Sequence, residues 1–185
     1  MIELRGYLRL LLLHVGMDHD LVAWVLAFVS NVRFSIVVNG LPTSFFTGQR
    51  GLRQGCPLSP LLFLMVIDGL SLMIGATKQQ RHIQGVKVSD SISLSHILFV
   101  DDILLFGANY RDEWLCYNEI FNVFCLATGM EISISKSSFI TSEGLIERQI
   151  LDLLPFRCVT LVVGFQYLGY SLKPSDTTKW IGSGY

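Results

Sequence analysis

Charge is scarce in this sequence and almost balanced: 16% of the 185 residues are charged, with 14 Lys and Arg against 15 Asp and Glu, for a formal net charge of −1. A free-standing nucleic-acid binder usually carries a basic excess that neutralises phosphates, so any such partner must be held locally or with help. The apolar share of 51% excludes a disordered chain and is ample for a core. Cysteine is also sparse. Cys56, Cys116, Cys125 and Cys158 lie far apart, with no CxxC pair and no zinc-type spacing to the four histidines, so reduced thiols in or near the core are expected. An uninterrupted apolar run of bilayer length is missing too. Asp68 breaks LLFLMVIDGLSLMI, and LVAWVLAFVS falls short of the roughly 20 residues that a membrane helix needs, so buried helices are expected and no membrane partner. Without a basic leader, apolar stretch and small-residue cleavage site, the expected location is intracellular, in nucleus or cytoplasm. Internal repeats and low-complexity tracts are absent, and the length suits one domain or a large piece of one.

The pattern along the chain is mixed. YLRLLLLHVG and DHDLVAWVLAFVS read as two helices, the second capped by Asp18 or Asp20. DHD as a metal site is the weaker reading, since no third ligand lies close in sequence. RFSIVVNG and LPTSFFTG flank an Asn39-Gly40 turn signal and predict a hairpin over about Arg33 to Gly48. The Gly-, Pro- and Arg-rich GQRGLRQGCPLSP leads into LLFLMVIDGLSLMIGATK, a helix that Ser59 can cap with Pro60 in its first turn. Beyond Arg81 the chain turns strand-like: IQGVKVS, SISLSHILFV and DILLFGA. YRDEWLCYNEIFNVFCLATG is an amphipathic helix closed by Gly129. MEISISKSSFI follows as strand or extended loop, GLIERQILDLL as a short helix, and VTLVVGFQYLGYSLK as a closing hairpin. The expected class is α+β, a mostly antiparallel sheet covered by helices on one face.

Within this frame LFVDDILLF poses a question. It sets Asp101 and Asp102 side by side in an otherwise apolar run, although desolvating one carboxylate costs several kcal/mol and two repel each other. At a tight hairpin bend both side chains can reach one edge and hold magnesium, which takes one or two carboxylates plus waters and substrate phosphates. A pair of metals so held activates a hydroxyl and stabilises a leaving phosphate oxygen. A plain solvated Asp-Asp turn is the competing reading of the dipeptide. GLRQGCPLSPLLF is equally two-sided: Gly51 and Gly55 permit close backbone approach, Arg53 offers a phosphate fork and Gln54 a donor and acceptor for a base or sugar edge, yet it also reads as a loop before a helix.

The order of strings, GLRQGCPLSPLLF, LSHILFVDDILLF, TGMEISISKSSF and FQYLGYSL, resembles the reverse transcriptase domain of LINE-type non-LTR retrotransposons, particularly those of plants, over most of the chain. The resemblance implies a polymerase palm over about residues 49–172, preceded by helices and a hairpin at 1–48, with remnants of fingers and a primer-grip hairpin. It implies an RNA template, a DNA primer and deoxynucleoside triphosphates as partners, and magnesium, with manganese as the alternative, as cofactor. Arg53, Gln54 and Gly55 would then lie beneath nucleotide and template, together with Phe99. Phe99, Val100, Asp101 and Asp102 match the family's aromatic-X-Asp-Asp hairpin, with Asp101 the principal metal ligand beside Asp102. Lys136, in ISISKSSF, would contact the triphosphate or protonate the pyrophosphate. Tyr167, Leu168 and Gly169 would form the primer-grip turn.

One family motif has no counterpart. An aspartate in a segment of the form FDxxKAFD bridges both metals, and MIELRGYLRL contains no aspartate, while Asp18 and Asp20 fall beyond the helix that follows that motif. The expectation is an N-terminally truncated domain with weakened metal binding, inactive by itself. A non-catalytic interaction module and a functionless remnant with sticky apolar surface are the other expectations. A metal phosphatase or nuclease shares only the Asp-Asp pair and leaves RQGCPLSP unexplained.

Overall fold

The structure is a computed structural model and describes residues 2–30, 32–48, 52, 55–108, 110–141 and 148–172. Two helices open it, α1 at Ile2–His14 and α2 at His19–Ser30. Asp18 caps α2: its Oδ1 accepts the Asp20 N–H at 2.8 Å, which settles the role of DHD as a turn. The predicted hairpin follows as two nested antiparallel ladders. β1 (Arg33–Phe34) pairs with β4 (Phe46–Thr47), and β2 (Val37–Val38) with β3 (Leu41–Pro42), around Asn39 and Gly40, both at positive φ. The residues of all four strands are exposed.

The long helix α3 spans Leu58–Gln79. Its start differs from expectation: Pro57 occupies the cap position with no side-chain bond, and the Ser59 hydroxyl is buried without a partner among the described residues. Ser59 lies two positions too late to cap; its N–H already bonds Cys56 O. Leu62, Val66, Leu70 and Ile74, four residues apart, form the buried stripe. They pack with Leu4, Leu8 and Leu12 of α1, Val22 and Val29 of α2, and Tyr117, Ile120, Phe121 and Phe124 of α4 (Arg111–Thr128). Gly69 lets α1 approach, because an added Cβ there would strike the Tyr7 hydroxyl. Between α3 and α4 run β5 (Val86–Lys87) with β6 (Ser93–Leu94), and β7 (His96–Phe99) with β8 (Asp102–Leu105). Gly129, at φ +69, closes α4 as its position predicts.

The mixed helix and strand class holds, but the expected single sheet does not form among the described residues; six separate two-stranded ladders stand in its place. Helices, not a sheet face, supply nearly all of the principal core, so each ladder needs only one side covered. The C-terminal part departs further. β9 (Ser138–Thr141) pairs in parallel with β10 (Arg157–Thr160), so the first two residues of VTLVV end a crossover unit and are not the near arm of a hairpin. Parallel pairing needs a crossover connection, and α5 (Arg148–Leu151) lies in it. A second small core forms there from Phe139, Ile150 and Leu154, against Trp114 and Phe156. A 3₁₀ turn at Leu161–Val163 then leads to the hairpin of β11 (Phe165–Tyr167) and β12 (Tyr170–Leu172).

Candidate active site

The β7–β8 ladder pairs His96 with Leu105, Ile97 with Leu104, Leu98 with Ile103 and Phe99 with Asp102, which leaves Val100 and Asp101 as a two-residue turn. Alternation along the strands sorts their side chains. Leu98, Ile103 and Leu105 lie against the helical core, while Phe99 and Asp102 share the opposite face. The apolar run around the two aspartates thus divides between a packed face and an outer one. Both carboxylates are exposed at the tip, so water carries the cost that their sequence context raised. Phe99 and Val100 beside them are 53% and 51% exposed. Val100 has φ +53, a region that a β-branched residue enters only at a cost of about 1–3 kcal/mol.

Below the tip the hairpin is tied down. Phe106 N–H donates to Ser95 O at 2.8 Å, extending the ladder by one bond. The Tyr117 hydroxyl donates to both Ser95 O and Phe106 O at 2.9 Å. Glu113, buried one turn earlier on α4, accepts at Oε1 from Gln84 N–H and Gly85 N–H, each at 2.8 Å, and at Oε2 from Ala108 N–H at 2.7 Å. Trp114 Nε1 donates to Ala108 O at 3.0 Å. His96 stands between two hydroxyls, Nε2 at 2.8 Å from Ser71 Oγ of α3 and Nδ1 at 3.0 Å from Ser95 Oγ. Burial, then the nearby Lys78 charge, hold the His96 imidazole below its usual pKa. None of these supports was legible as a site, because their partners are mostly backbone groups.

The remaining candidates are placed unevenly. Gly55 is exposed at φ +79, with open space where a Cβ would stand; Arg53 and Gln54 lie outside the described residues. Lys136 is exposed on a turn whose Ser137 hydroxyl bonds Ser133 O, and it forms no ion pair with either aspartate. Leu168 and Gly169, at φ +51 and +82, make a two-residue turn, while Tyr167, which the resemblance placed in that turn, ends β11 and pairs with Tyr170. The Tyr167 hydroxyl is buried with no partner among the described residues. Among those residues no three His, Cys, Asp or Glu side chains gather as a metal site. Asp101 and Asp102 alone match the one or two carboxylates by which magnesium is commonly held beside substrate phosphates. Among the described residues the tip therefore offers two adjacent carboxylates to a cation.

The family described as reverse transcriptase (RNA-dependent DNA polymerase) matches residues 12–172, which include the aspartate hairpin and the Leu168-Gly169 turn. The chain belongs to this family. Two of three similar proteins are retrotransposon polyproteins. An uncharacterized mitochondrial protein of Arabidopsis thaliana is 42% identical over 67 residues, 36% of this chain and 55% of that protein. A retrovirus-related Pol polyprotein from the type-1 retrotransposable element R2 of Popillia japonica is 29% identical over 90 residues, covering 49% of this chain and 14% of the polyprotein. The corresponding polyprotein from the type-2 element R2DM of Drosophila melanogaster is 26% identical over 148 residues, 78% of this chain and 12% of the polyprotein. The chain thus spans little more than half of the first relative and a small fraction of the two polyproteins.

Stability of this reverse transcriptase domain should depend on pH at the alkaline end. Burial raises the pKa values of Tyr117, Tyr7, Cys116 and Cys125, with the neighbouring acids Glu113, Asp68, Glu119 and Glu131 adding to it. Folded values above unfolded ones mean stability is fully present below the ordinary thiol and phenol pKa values of about 8.5 and 10. Above them the unfolded chain releases protons that the folded chain keeps, so stability falls as pH rises. The fully buried Tyr117 alone gives a slope of up to about 1.4 kcal/mol per pH unit above pH 10; the other three, partly exposed, give less. Urea midpoints measured from pH 8 to pH 11 should fall, and the fall above pH 10 should be shallower in Tyr117→Phe.

Proposed function

We propose that the chain is the palm segment of a retroelement RNA-directed DNA polymerase, with Asp101 and Asp102 as its metal-binding carboxylates. The observation that carries this reading is the hairpin tip, where a two-residue turn presents both aspartates to solvent beside exposed Phe99. The small β7–β8 ladder is read as the central palm hairpin and β11–β12 as the primer grip. Template RNA and DNA primer would lie across Phe99 and the Arg53-Gln54-Gly55 segment, with the primer end steadied at Tyr167, Leu168 and Gly169. When bound, magnesium or manganese supplies charge that lowers the cost of a primer 3′-hydroxyl attacking the α-phosphate of a deoxynucleoside triphosphate. Asp101 and Asp102 would hold that cation, and Lys136 would contact the triphosphate or give a proton to departing pyrophosphate. The protein's own part is positioning and electrostatics.

Two carboxylates make an incomplete site, so these 185 residues alone should extend a primed RNA or DNA template with magnesium no faster than an Asp101→Ala control. A chimaera carrying an FDxxKAFD segment ahead of Met1 should gain extension that Asp101→Ala abolishes. Magnesium-dependent extension by the original chain, absent in the control, would overturn the incomplete-site reading. A chimaera that binds template yet ignores the Asp101 substitution would sink the assignment of the carboxylates.

A further inference from the structure

We infer that helix α4 grips the aspartate hairpin by both feet, making Tyr117 and Glu113 positioning residues for Asp101 and Asp102. The positioning role rests on the polymerase reading of those carboxylates; the grip itself does not. At the tip itself no packing fixes the direction of the hairpin, and behind it Leu98 and Ile103 rest on the helical core by one face only. Phe99, Val100, Asp101 and Asp102 are all exposed, and β7–β8 is a two-stranded ladder, a form that is marginal unless packed on something else. Orientation at the tip is therefore inherited from the one packed face behind it and from the base.

At the base the two strands are joined through one phenol. Tyr117 has a single hydroxyl hydrogen shared between Ser95 O, just before β7, and Phe106 O, just after β8. Its side chain is 0% exposed, so water does not compete for these carbonyls. Burial keeps the phenol protonated, and thus a donor, well into alkaline pH. Glu113 lies four residues earlier, on the same face of α4. Through Oε2 it holds Ala108 N–H at the exit of β8, where Trp114 Nε1 holds the same residue's carbonyl. Through Oε1 it holds Gly85 N–H, and Gly85 is wedged against the chain entering β7: an added Cβ would stand 2.3 Å from Leu94 O. Entry and exit are thus referred to one rigid helix, with the bond from His96 to Ser71 fixing the first residue of β7 to α3.

Leverage makes the grip matter. Four residues at about 3.3 Å each put the tip roughly 13 Å beyond its base, so a tilt of about 10° at the feet displaces the carboxylates by about 2 Å. Metal and phosphoryl chemistry tolerate misplacements nearer 0.5 Å.

The test uses the full chain, with site-resolved amide hydrogen exchange and manganese(II) as the probe of the carboxylates. Tyr117→Phe keeps the ring and removes only the donor. In this variant, exchange of the β7 and β8 ladder amides should rise about tenfold, while α3 core amides such as Leu70 and Ile74 change less than about twofold. Manganese broadening at Asp101 and Asp102 should need several-fold more metal. Glu113→Gln keeps one oxygen acceptor but lowers stability as a whole, so exchange of the ladder amides should rise about tenfold more than that of Leu70 and Ile74. An equal rise in helix and hairpin exchange would reduce both residues to general staples and overturn the inference, as would an unchanged hairpin. Loosened ladder amides with unchanged manganese affinity would refute the positioning role. Absence of manganese broadening in the parent chain would remove the polymerase reading, and the exchange data would still decide whether α4 grips the hairpin.

Discussion

Glu113→Ala should destabilise the domain by about 3–5 kcal/mol, seen as a lowered urea midpoint with little change in slope. Three N–H groups converge on one buried carboxylate: those of Gln84, Gly85 and Ala108. A hydrogen bond to a charged group contributes about 1.5–3 kcal/mol, and an orphaned buried donor costs about 1–3. The full sum is not reached, because Gln84 is exposed and water can replace part of what is lost there. Placement in the first turn of α4 adds the favourable end of the helix dipole, lost with the charge. Asp112 is the control. It is also acidic and in the same turn, but it is exposed, and Asp112→Ala should cost no more than about 1 kcal/mol. Equal losses from the two substitutions would mean that the carboxylate of Glu113 does no more than complement the helix end.

The contrast between Asp112 and Glu113 also marks the boundary of what the sequence makes legible. Periodicity and end signals are local, and they succeeded: Asp18 caps α2, Asn39-Gly40 turns its hairpin, and Gly129 closes α4. The aspartate hairpin was legible for the same reason, since a break in an apolar alternation is written in consecutive residues. Ser59 shows the limit of that reasoning. A serine and a proline near a helix start suggest a cap, but a shift of two positions turns the cap into a buried hydroxyl. Strand pairing is non-local, so the sequence puts the end of β10 in the closing hairpin and gives β9 no partner. GLIERQILDLL between the two strands was the available sign of a crossover. The supports of the site were hardest to see. Glu113 and Tyr117 act on main-chain groups 5 to 29 residues away, and a main-chain N–H or carbonyl leaves no mark in the sequence.

Leu70→Ala should cost about 2–5 kcal/mol, whereas Leu72→Ala, two residues along the same helix, should stay within about 0.5 kcal/mol. By length and composition α3 is apolar enough to cross a bilayer, so its hydrophobicity needs a cause. Leu70 is 0% exposed, between Val66 and Ile74 one turn to either side, and it faces residues of α1 and α4; truncation there leaves a cavity in close-packed surroundings. Leu72 is 58% exposed, on a side of the helix shared with Leu61, Leu64 and the charged Asp68. A helix made apolar by lipid would place both leucines in hydrocarbon or against other helices, and the two substitutions would then converge. A helix made apolar by a core on one side and by a surface that associates with something else on the other keeps them apart in stability. In that case Leu72→Ala should still lower the tendency of the chain to self-associate, because it trims an exposed apolar surface without touching the core. Sedimentation of the two variants beside their urea midpoints separates these causes: Leu70→Ala should move the midpoint, and Leu72→Ala the association.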